Sequence, residues 1–281
     1  MNRLTAADGL AWVGVPLAAV ASGAGILIGD VYRDAPYWVQ QARGTDVATL
    51  FLAVPLLAIG LLTARKSTVA RAAVMGVLLY LVYNYAIFAF AVSMNALSGL
   101  YIVLLGLAVW SVALSLTSRE PAPPVVGFPR RLTAITLIVT AFLFGLLWLG
   151  QLAEATLTGT IPVDVERAGL PTNPVYALDL GLFLPLCLVA GIGLLRHEPA
   201  ASAFALPILI WLALTSAGIV SGFWFTAQTG EIVPLPVVAL VGVIGIATAV
   251  LGATALRDGA LRDGALRDER LQPSEAPQRG V

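Results

Sequence analysis

Residues 72–95 of this chain read AAVMGVLLYLVYNYAIFAFAVSMN, an apolar run without a charged side chain. A helix needs about 20 apolar residues to cross the hydrocarbon core of a bilayer. This run is long enough, and seven more runs of comparable length occur along the chain. The predicted spans are 9–29, 46–64, 72–95, 98–117, 132–150, 175–195, 203–225 and 233–255. They predict an all-α transmembrane fold, an eight-helix bundle in one polytopic membrane domain over 1–255.

The composition agrees with a membrane protein and excludes several kinds of site. Hydrophobic residues make up 59% of the chain and charged residues 11%, whereas about a quarter of a soluble domain is charged. The chain has one cysteine and one histidine, so an intrachain disulfide, a Cys/His zinc site and bis-histidine haem ligation are excluded for a lone chain. We therefore predict no metal and no cofactor. Basic and acidic residues are equal in number, and we expect no nucleic-acid partner.

The basic residues lie almost entirely in alternate gaps between the spans. Arg33, Arg43 and Arg167 fall on one side, and the other 13 basic residues fall on the opposite side. The positive-inside rule then predicts a multi-pass protein of the cell membrane with both termini in the cytoplasm. An alternative start is a cleaved signal peptide over 1–21, since Ala19-Val20-Ala21 resembles a signal-peptidase site. The apolar run continues beyond that point, which favours a retained span.

Beyond the last span the chain repeats Leu-Arg-Asp-Gly-Ala, beginning at Leu256 and again at Leu261. It then ends in a segment rich in Gln, Pro, Ser and Glu. Because this stretch has little apolar content, we predict a disordered cytoplasmic tail over 256–281.

Two segments of the chain are alike. Residues 46–62 and 179–195 both begin with Asp, both end in Ile-Gly-Leu-Leu, and each follows a long outer loop. Each lies second in a set of four predicted spans. One hypothesis is a bundle of two parallel four-helix repeats, related by an axis along the membrane normal. The other is a chance likeness between leucine-rich helices.

Polar side chains within the spans are the candidates for a ligand site. Ionisable groups in a membrane helix are costly and usually face other helices or a wet cavity. Asp46 is expected at the outer end of its span, and Asp179 a turn or more inside its own. Buried amides and hydroxyls either join neighbouring helices or contact a ligand. The candidate ligand-binding residues are Asp46, Tyr80, Asn84, Asn95, Gln151, Asn173 and Asp179; no catalytic residue is predicted.

Short motifs give the chain a resemblance to a known group of proteins. They are Tyr83-Asn84-Tyr85, Trp148-Leu-Gly-Gln151, and Thr172-Asn-Pro-Val175 followed by Leu178-Asp-Leu180. With these motifs the chain resembles a family of uncharacterised multi-pass bacterial integral membrane proteins over most of 9–255. The resemblance implies a polytopic helical fold. It implies no activity and transfers no functional residue.

Three classes of function follow from these patterns. The first is binding or transport of a small solute through an outward-facing polar cavity. The second is a sensor, scaffold or subunit, in which the chain forms homo-oligomers or joins another membrane subunit. The third is a membrane-embedded enzyme in which Asp46 and Asp179 bind a metal or serve as acid and base; no metalloprotease or serine-hydrolase motif supports it. The bilayer is a partner in all three.

Overall fold

The structure is a computed structural model that describes residues 5–65, 67–117 and 129–271, with side chains to residue 265. Eight helices in these ranges are long and apolar enough to span a membrane. They are α1 (Ala6–Leu27), α2 (Pro36–Thr63), α3 (Thr68–Ala91), α4 (Ser98–Thr117), α5 (Arg130–Thr158), α7 (Pro174–Leu195), α8 (Pro199–Gln228) and α9 (Leu235–Leu271); a short helix, α6 (Val163–Ala168), lies between α5 and α7. The predicted all-α eight-helix bundle is confirmed.

Several helices extend beyond the apolar runs that predicted them. α2 begins at Pro36 rather than at residue 46, because proline lacks an N–H and is well suited to the first helical turn. α5 continues to Thr158, where Gly159 adopts a left-handed conformation (φ 69°) that ends the helix. α3 stops at Ala91, short of the predicted 95. The polar residues at the outer ends of α2 and α5 therefore belong to helices that hydropathy alone makes too short.

The bundle consists of two sets of four helices with the same order of neighbours. In the first set α1 packs on α2 and α4, and α3 packs on α2 and α4. In the second set α5 packs on α7 and α9, and α8 packs on α7 and α9. The contact between α5 and α9 is much less extensive than that between α1 and α4. This shared order supports the hypothesis of two parallel repeats, of which the second is the more open.

The two sets meet chiefly where α8 crosses α2 and α3. A Cβ built on Gly44 would lie 2.0 Å from the backbone nitrogen of Gly222, so these two helix backbones are in direct contact. Gln41 donates to the Thr226 hydroxyl at 3.0 Å beside that contact. Small residues such as Gly44 and Gly222 commonly permit such close approach of helices in membranes.

A π-helical turn interrupts both α2 and α7. The turns are Thr49–Ala53 and Asp179–Phe183, and each is followed by one residue and a proline, Pro55 or Pro185. A proline cannot donate to the helical ladder and its ring crowds the preceding turn, which favours a local change to wider hydrogen bonding. The prolines thus give the repeats a common register in which Thr49, not Asp46, corresponds to Asp179.

Residues 256–271 continue α9 as a helix, so the predicted disorder does not begin at 256. The carboxylate of Asp263 accepts hydrogen bonds from the backbone N–H and the hydroxyl of Thr68, at 3.0 and 3.1 Å. It thereby caps the first turn of α3, where a negative charge is favoured. The remainder of the predicted tail, 272–281, lies outside the described residues.

Candidate functional site: a one-sided cavity in the second repeat

A cavity of about 790 Å³ occupies the second repeat and is completed by α2 and α3. Its lining on α5 runs from Thr140 to Ala155, which corresponds to about 20 Å along the helix axis. The lining also includes loop residues at the end of the bundle away from the chain termini, such as Thr160 and Ile232. On the side of the termini, fully buried side chains fill the bundle, among them Leu137, Leu194 and Ile208. The cavity therefore lies toward the end of the bundle away from the termini, and this loop-lined end is called its mouth.

Asp179 lies on the cavity wall in the π turn of α7, with 8% of its surface exposed. The indole N–H of Trp148 donates to its Oδ2 atom at 2.8 Å. The hydroxyl of Tyr83 also interacts with this carboxyl group. Among the described residues, no basic side chain forms an ion pair with Asp179. The acid is thus held by two neutral donors and lacks a counter-charge.

Two aromatic residues, Trp148 and Tyr83, interact with this carboxyl group, and each packs on further rings. Trp148 packs against Tyr176, with ring centroids 5.1 Å apart. Tyr83 makes an edge contact with Trp211 at 5.7 Å, and Phe183 stacks on Trp211 at 4.5 Å. Aromatic pairs of this kind hold one another in place. Trp148, Tyr83 and Trp211 line the cavity as well, so a rigid aromatic wall flanks Asp179.

Another part of the cavity wall carries a hydrogen-bonded group from α2 and α3. The hydroxyls of Thr49 and Tyr80 are 2.8 Å apart, and the amide of Asn84 donates to Thr49 at 3.3 Å. Tyr80 and Asn84 line the cavity, whereas Thr49 is buried behind them. The predicted role of Asn84 in joining helices is thus observed, and its position still leaves it in contact with the cavity.

Three polar atoms of cavity-lining residues have no hydrogen-bond partner: Thr140 Oγ1, Thr215 Oγ1 and Trp211 Nε1. A helical threonine usually bonds to the carbonyl one turn earlier, and a buried donor without a partner costs about 1–3 kcal/mol. Three such groups around one cavity mark places where an additional polar group would be stabilised.

The mouth of the cavity carries most of its charged residues. Arg167 on α6 forms an ion pair with Glu231, and its guanidinium lies 4.5 Å from the centre of the Tyr37 ring. The acids Glu154 and Asp164 also line the mouth. Arg167 is the single basic residue among the described lining residues, and Glu231 offsets its charge. Among the charged residues that line the cavity, acids therefore outnumber bases.

The structure brings five of the seven predicted ligand-binding residues to this cavity: Tyr80, Asn84, Gln151, Asn173 and Asp179. Gln151 accepts a hydrogen bond from Tyr176, and Asn173 caps α7 by accepting from Val175 at 2.9 Å while its amide donates to Asp164 at 3.2 Å. These positions are observed, and ligand binding by the residues remains a prediction.

Two predicted residues lie elsewhere. Asp46 is well inside α2, not at its outer end, and is buried with 2% of its surface exposed against Tyr32 and Gly25 of the first repeat. Asn95 follows the end of α3 and bonds to the backbone of Ser93 and Leu97 in the turn before α4. Because Asp46 does not line the cavity, Asp46 and Asp179 share no site for an acid–base pair.

Other cavity residues were not among the predicted set. Thr215 on α8 is one of them. Tyr37 and Trp38 at the start of α2 also line the cavity, and Trp38 donates to the carbonyl of Ala91 at 2.9 Å. Pro36 was the signal in the sequence that could have extended α2 to include them.

No family model matches the chain, and no curated protein or solved structure is significantly similar to it. The resemblance to uncharacterised multi-pass bacterial membrane proteins remains a prediction. Functional inference therefore depends on the geometry of the cavity.

Proposed function

We propose that the protein binds a small solute in the cavity of the second repeat, as the binding step of transport or of solute capture at the membrane. The observation that carries this proposal is a cavity of about 790 Å³ that lies toward one end of the bundle and has Asp179 and Asn84 on its wall. Ligand sites in proteins are typically concave, mostly apolar and equipped with a few convergent polar groups. This cavity has each of these properties.

The unpartnered polar atoms support the same proposal. Thr140, Thr215 and Trp211 each carry a buried polar atom without a hydrogen-bond partner, and all three residues belong to the cavity wall. A solute with hydrogen-bonding groups would satisfy them. A cavity that results only from imperfect packing is typically lined by apolar side chains.

The distribution of basic residues supports an outward-facing mouth. Arg65, Arg71, Arg130 and Arg196 lie near the ends of helices on the side of the chain termini, opposite the mouth. The positive-inside rule then assigns the termini to the cytoplasm and the mouth to the external face of the cell membrane. A solute would enter from outside.

Cysteine labelling tests this proposal because the native Cys187 is fully buried. Thr215→Cys places a thiol of similar size on the cavity wall, in a Cys187→Ser background. The proposal predicts that a membrane-impermeant methanethiosulfonate reagent, added to intact cells, modifies this thiol. Ser111→Cys is the matched control, since Ser111 is fully buried in α4 and does not line the cavity.

Modification at residue 215 without modification at residue 111 would support an accessible, outward-facing cavity. If the Thr215→Cys thiol reacts in permeabilised cells alone, the mouth faces the cytoplasm. If it reacts in neither preparation while the protein is folded, the cavity is inaccessible and solute binding is overturned. The sensor, scaffold or subunit hypothesis would then be the stronger candidate.

A further inference from the structure

We propose that the solute is an amphipathic organic cation whose ammonium group binds at Asp179 between the rings of Trp148, Tyr83 and Trp211. This proposal rests on the solute-binding role and specifies the chemical class of the ligand. It combines three observations: a buried carboxyl group without a basic partner, an aromatic wall beside it, and an apolar cavity beyond it.

The charge of the cavity favours a positive ligand group. Asp179, Glu154 and Asp164 line it, whereas Arg167 is paired with Glu231 at the mouth. A buried carboxylate is costly when it has no counter-charge, and a bound cation would supply one. An anionic ligand would meet these acids without a free base, among the described lining residues, to receive it.

The aromatic rings favour an organic ammonium group. Cations are attracted to the faces of tryptophan and tyrosine rings, and cages of such rings recognise alkylated ammonium groups. Trp148 is fixed by its bond to Asp179 and by its contact with Tyr176, so its ring is already positioned beside the acid. Little rearrangement would be needed before the ligand binds.

The structure disfavours a metal ion as the bound cation. Among the described residues, no group of three or more His, Cys, Asp or Glu side chains is placed to hold a metal. A divalent ion normally requires several oxygen, nitrogen or sulfur ligands. At Asp179 such an ion would have one carboxylate ligand, with the rings of Trp148 and Tyr83 beside it. An alkylated ammonium group needs only one carboxylate and is attracted to the ring faces.

The rest of the cavity indicates the remainder of the ligand. Phe144, Ile219, Val241 and Ile244 line it with apolar surface. These side chains would accommodate a hydrocarbon portion, which is stabilised when it is removed from water. The limited contact between α5 and α9 leaves this apolar side the least tightly closed part of the second repeat.

Three probes with one hydrocarbon chain and different head groups test the assignment. Hexyltrimethylammonium is cationic, hexyl sulfate is anionic and 1-hexanol is neutral. Calorimetry would measure their binding to the full chain in lipid nanodiscs, with empty nanodiscs as the reference. We expect hexyltrimethylammonium to bind at least about tenfold more tightly than the other two probes, a difference of about 1.4 kcal/mol.

Asp179→Asn should reduce the affinity for the cation by about tenfold and leave the affinity for 1-hexanol unchanged. Asp46→Asn makes the same chemical change in the first repeat, away from the cavity, and should leave both affinities unchanged. Thermal unfolding of Asp179→Asn and Asp46→Asn would verify that both variants remain folded. A third variant, Asp179→Glu, keeps the charge and should retain the preference for the cation.

Equal affinity for the three probes, unaltered by Asp179→Asn, would overturn the cation assignment while solute binding stands. Binding of hexyl sulfate in preference to the cation would overturn it as well. If none of the probes binds and the Thr215→Cys thiol is inaccessible, both the cation assignment and the proposed function fail.

Discussion

Trp148 donates its indole N–H to Asp179 across 2.8 Å, and this bond joins α5 to the π turn of α7. The bond orients the carboxyl group and presents the tryptophan ring to the cavity. Both residues line the cavity, so one interaction between two helices positions the acidic and the aromatic part of the proposed site.

Replacing Trp148 should therefore weaken cation binding in two distinguishable steps. Trp148→Phe keeps an aromatic face and removes the N–H donor, whereas Trp148→Leu removes both. We expect the affinity for hexyltrimethylammonium to fall several-fold in the first variant and about tenfold or more in the second. Calorimetry in nanodiscs would measure this order. Equal affinities in both variants would show that the ring face makes no contribution.

The crossing of α2 and α8 should not tolerate a larger residue at its centre. A Cβ on Gly44 would lie 2.0 and 2.3 Å from backbone atoms of Gly222, which no side-chain rotation can relieve. We expect Gly44→Ala to destabilise the protein by about 1–3 kcal/mol despite alanine's better helix propensity. Gly106→Ala is the control, because its Cβ would meet nothing within 4 Å.

Thermal unfolding in detergent would measure both alanine variants. The expected result is a lower melting temperature for Gly44→Ala and an unchanged or higher one for Gly106→Ala. A Gly44→Ala protein as stable as the parent would mean that the two helices do not approach each other as closely as the structure shows.

The C-terminal part of α9 should protect the start of α3. The Asp263 carboxylate accepts from the Thr68 backbone and hydroxyl, and removal of such a cap typically costs about 0.5–2 kcal/mol. We expect faster hydrogen exchange in the first turn of α3 in Asp263→Ala, with no change in Asp258→Ala, a second acid on the same helical segment. Equal exchange in the two variants would contradict this docking.

Tyr32 should make the first repeat sensitive to alkaline pH. Burial raises the pKa of its hydroxyl above the usual value of 10.0, and the adjacent Asp46 carboxyl group raises it further. Above about pH 10 the unfolded chain loses this proton while the folded chain keeps it, so the free energy of unfolding decreases as the pH rises. Tyr32→Phe should reduce this slope, which chemical unfolding at pH 8–11 would measure; an unchanged slope would contradict the prediction.

Hydropathy and basic-residue patterns were sufficient to predict eight helices and the all-α bundle. They truncated α2 because residues 36–45 are polar, although these residues form a helix that faces a cavity rather than lipid. The same patterns ended the last helix at residue 255, because the docking of Asp263 on Thr68 depends on residues distant in sequence. Long-range contacts of this kind leave no local pattern.

The acidic residues show a similar limit. The alignment paired Asp46 with Asp179 through their shared Ile-Gly-Leu-Leu endings, but the π turns and prolines pair Thr49 with Asp179. Three of the polar residues named from the sequence, Tyr80, Asn84 and Gln151, do line the cavity. The partnership of Asp179 with Trp148 depends on how α5 and α7 pack, and no local pattern indicates it.

The most direct test is a crystal structure of the protein with 6-bromohexyltrimethylammonium, in which bromine marks the hydrocarbon end by its anomalous signal. We expect a bromine peak in the cavity on the apolar side lined by Phe144 and Ile244. We also expect density for the ammonium group between Asp179 and the ring of Trp148. A bromine peak confined to the outer surface of the bundle, with an empty cavity at saturating ligand, would contradict cation binding at Asp179.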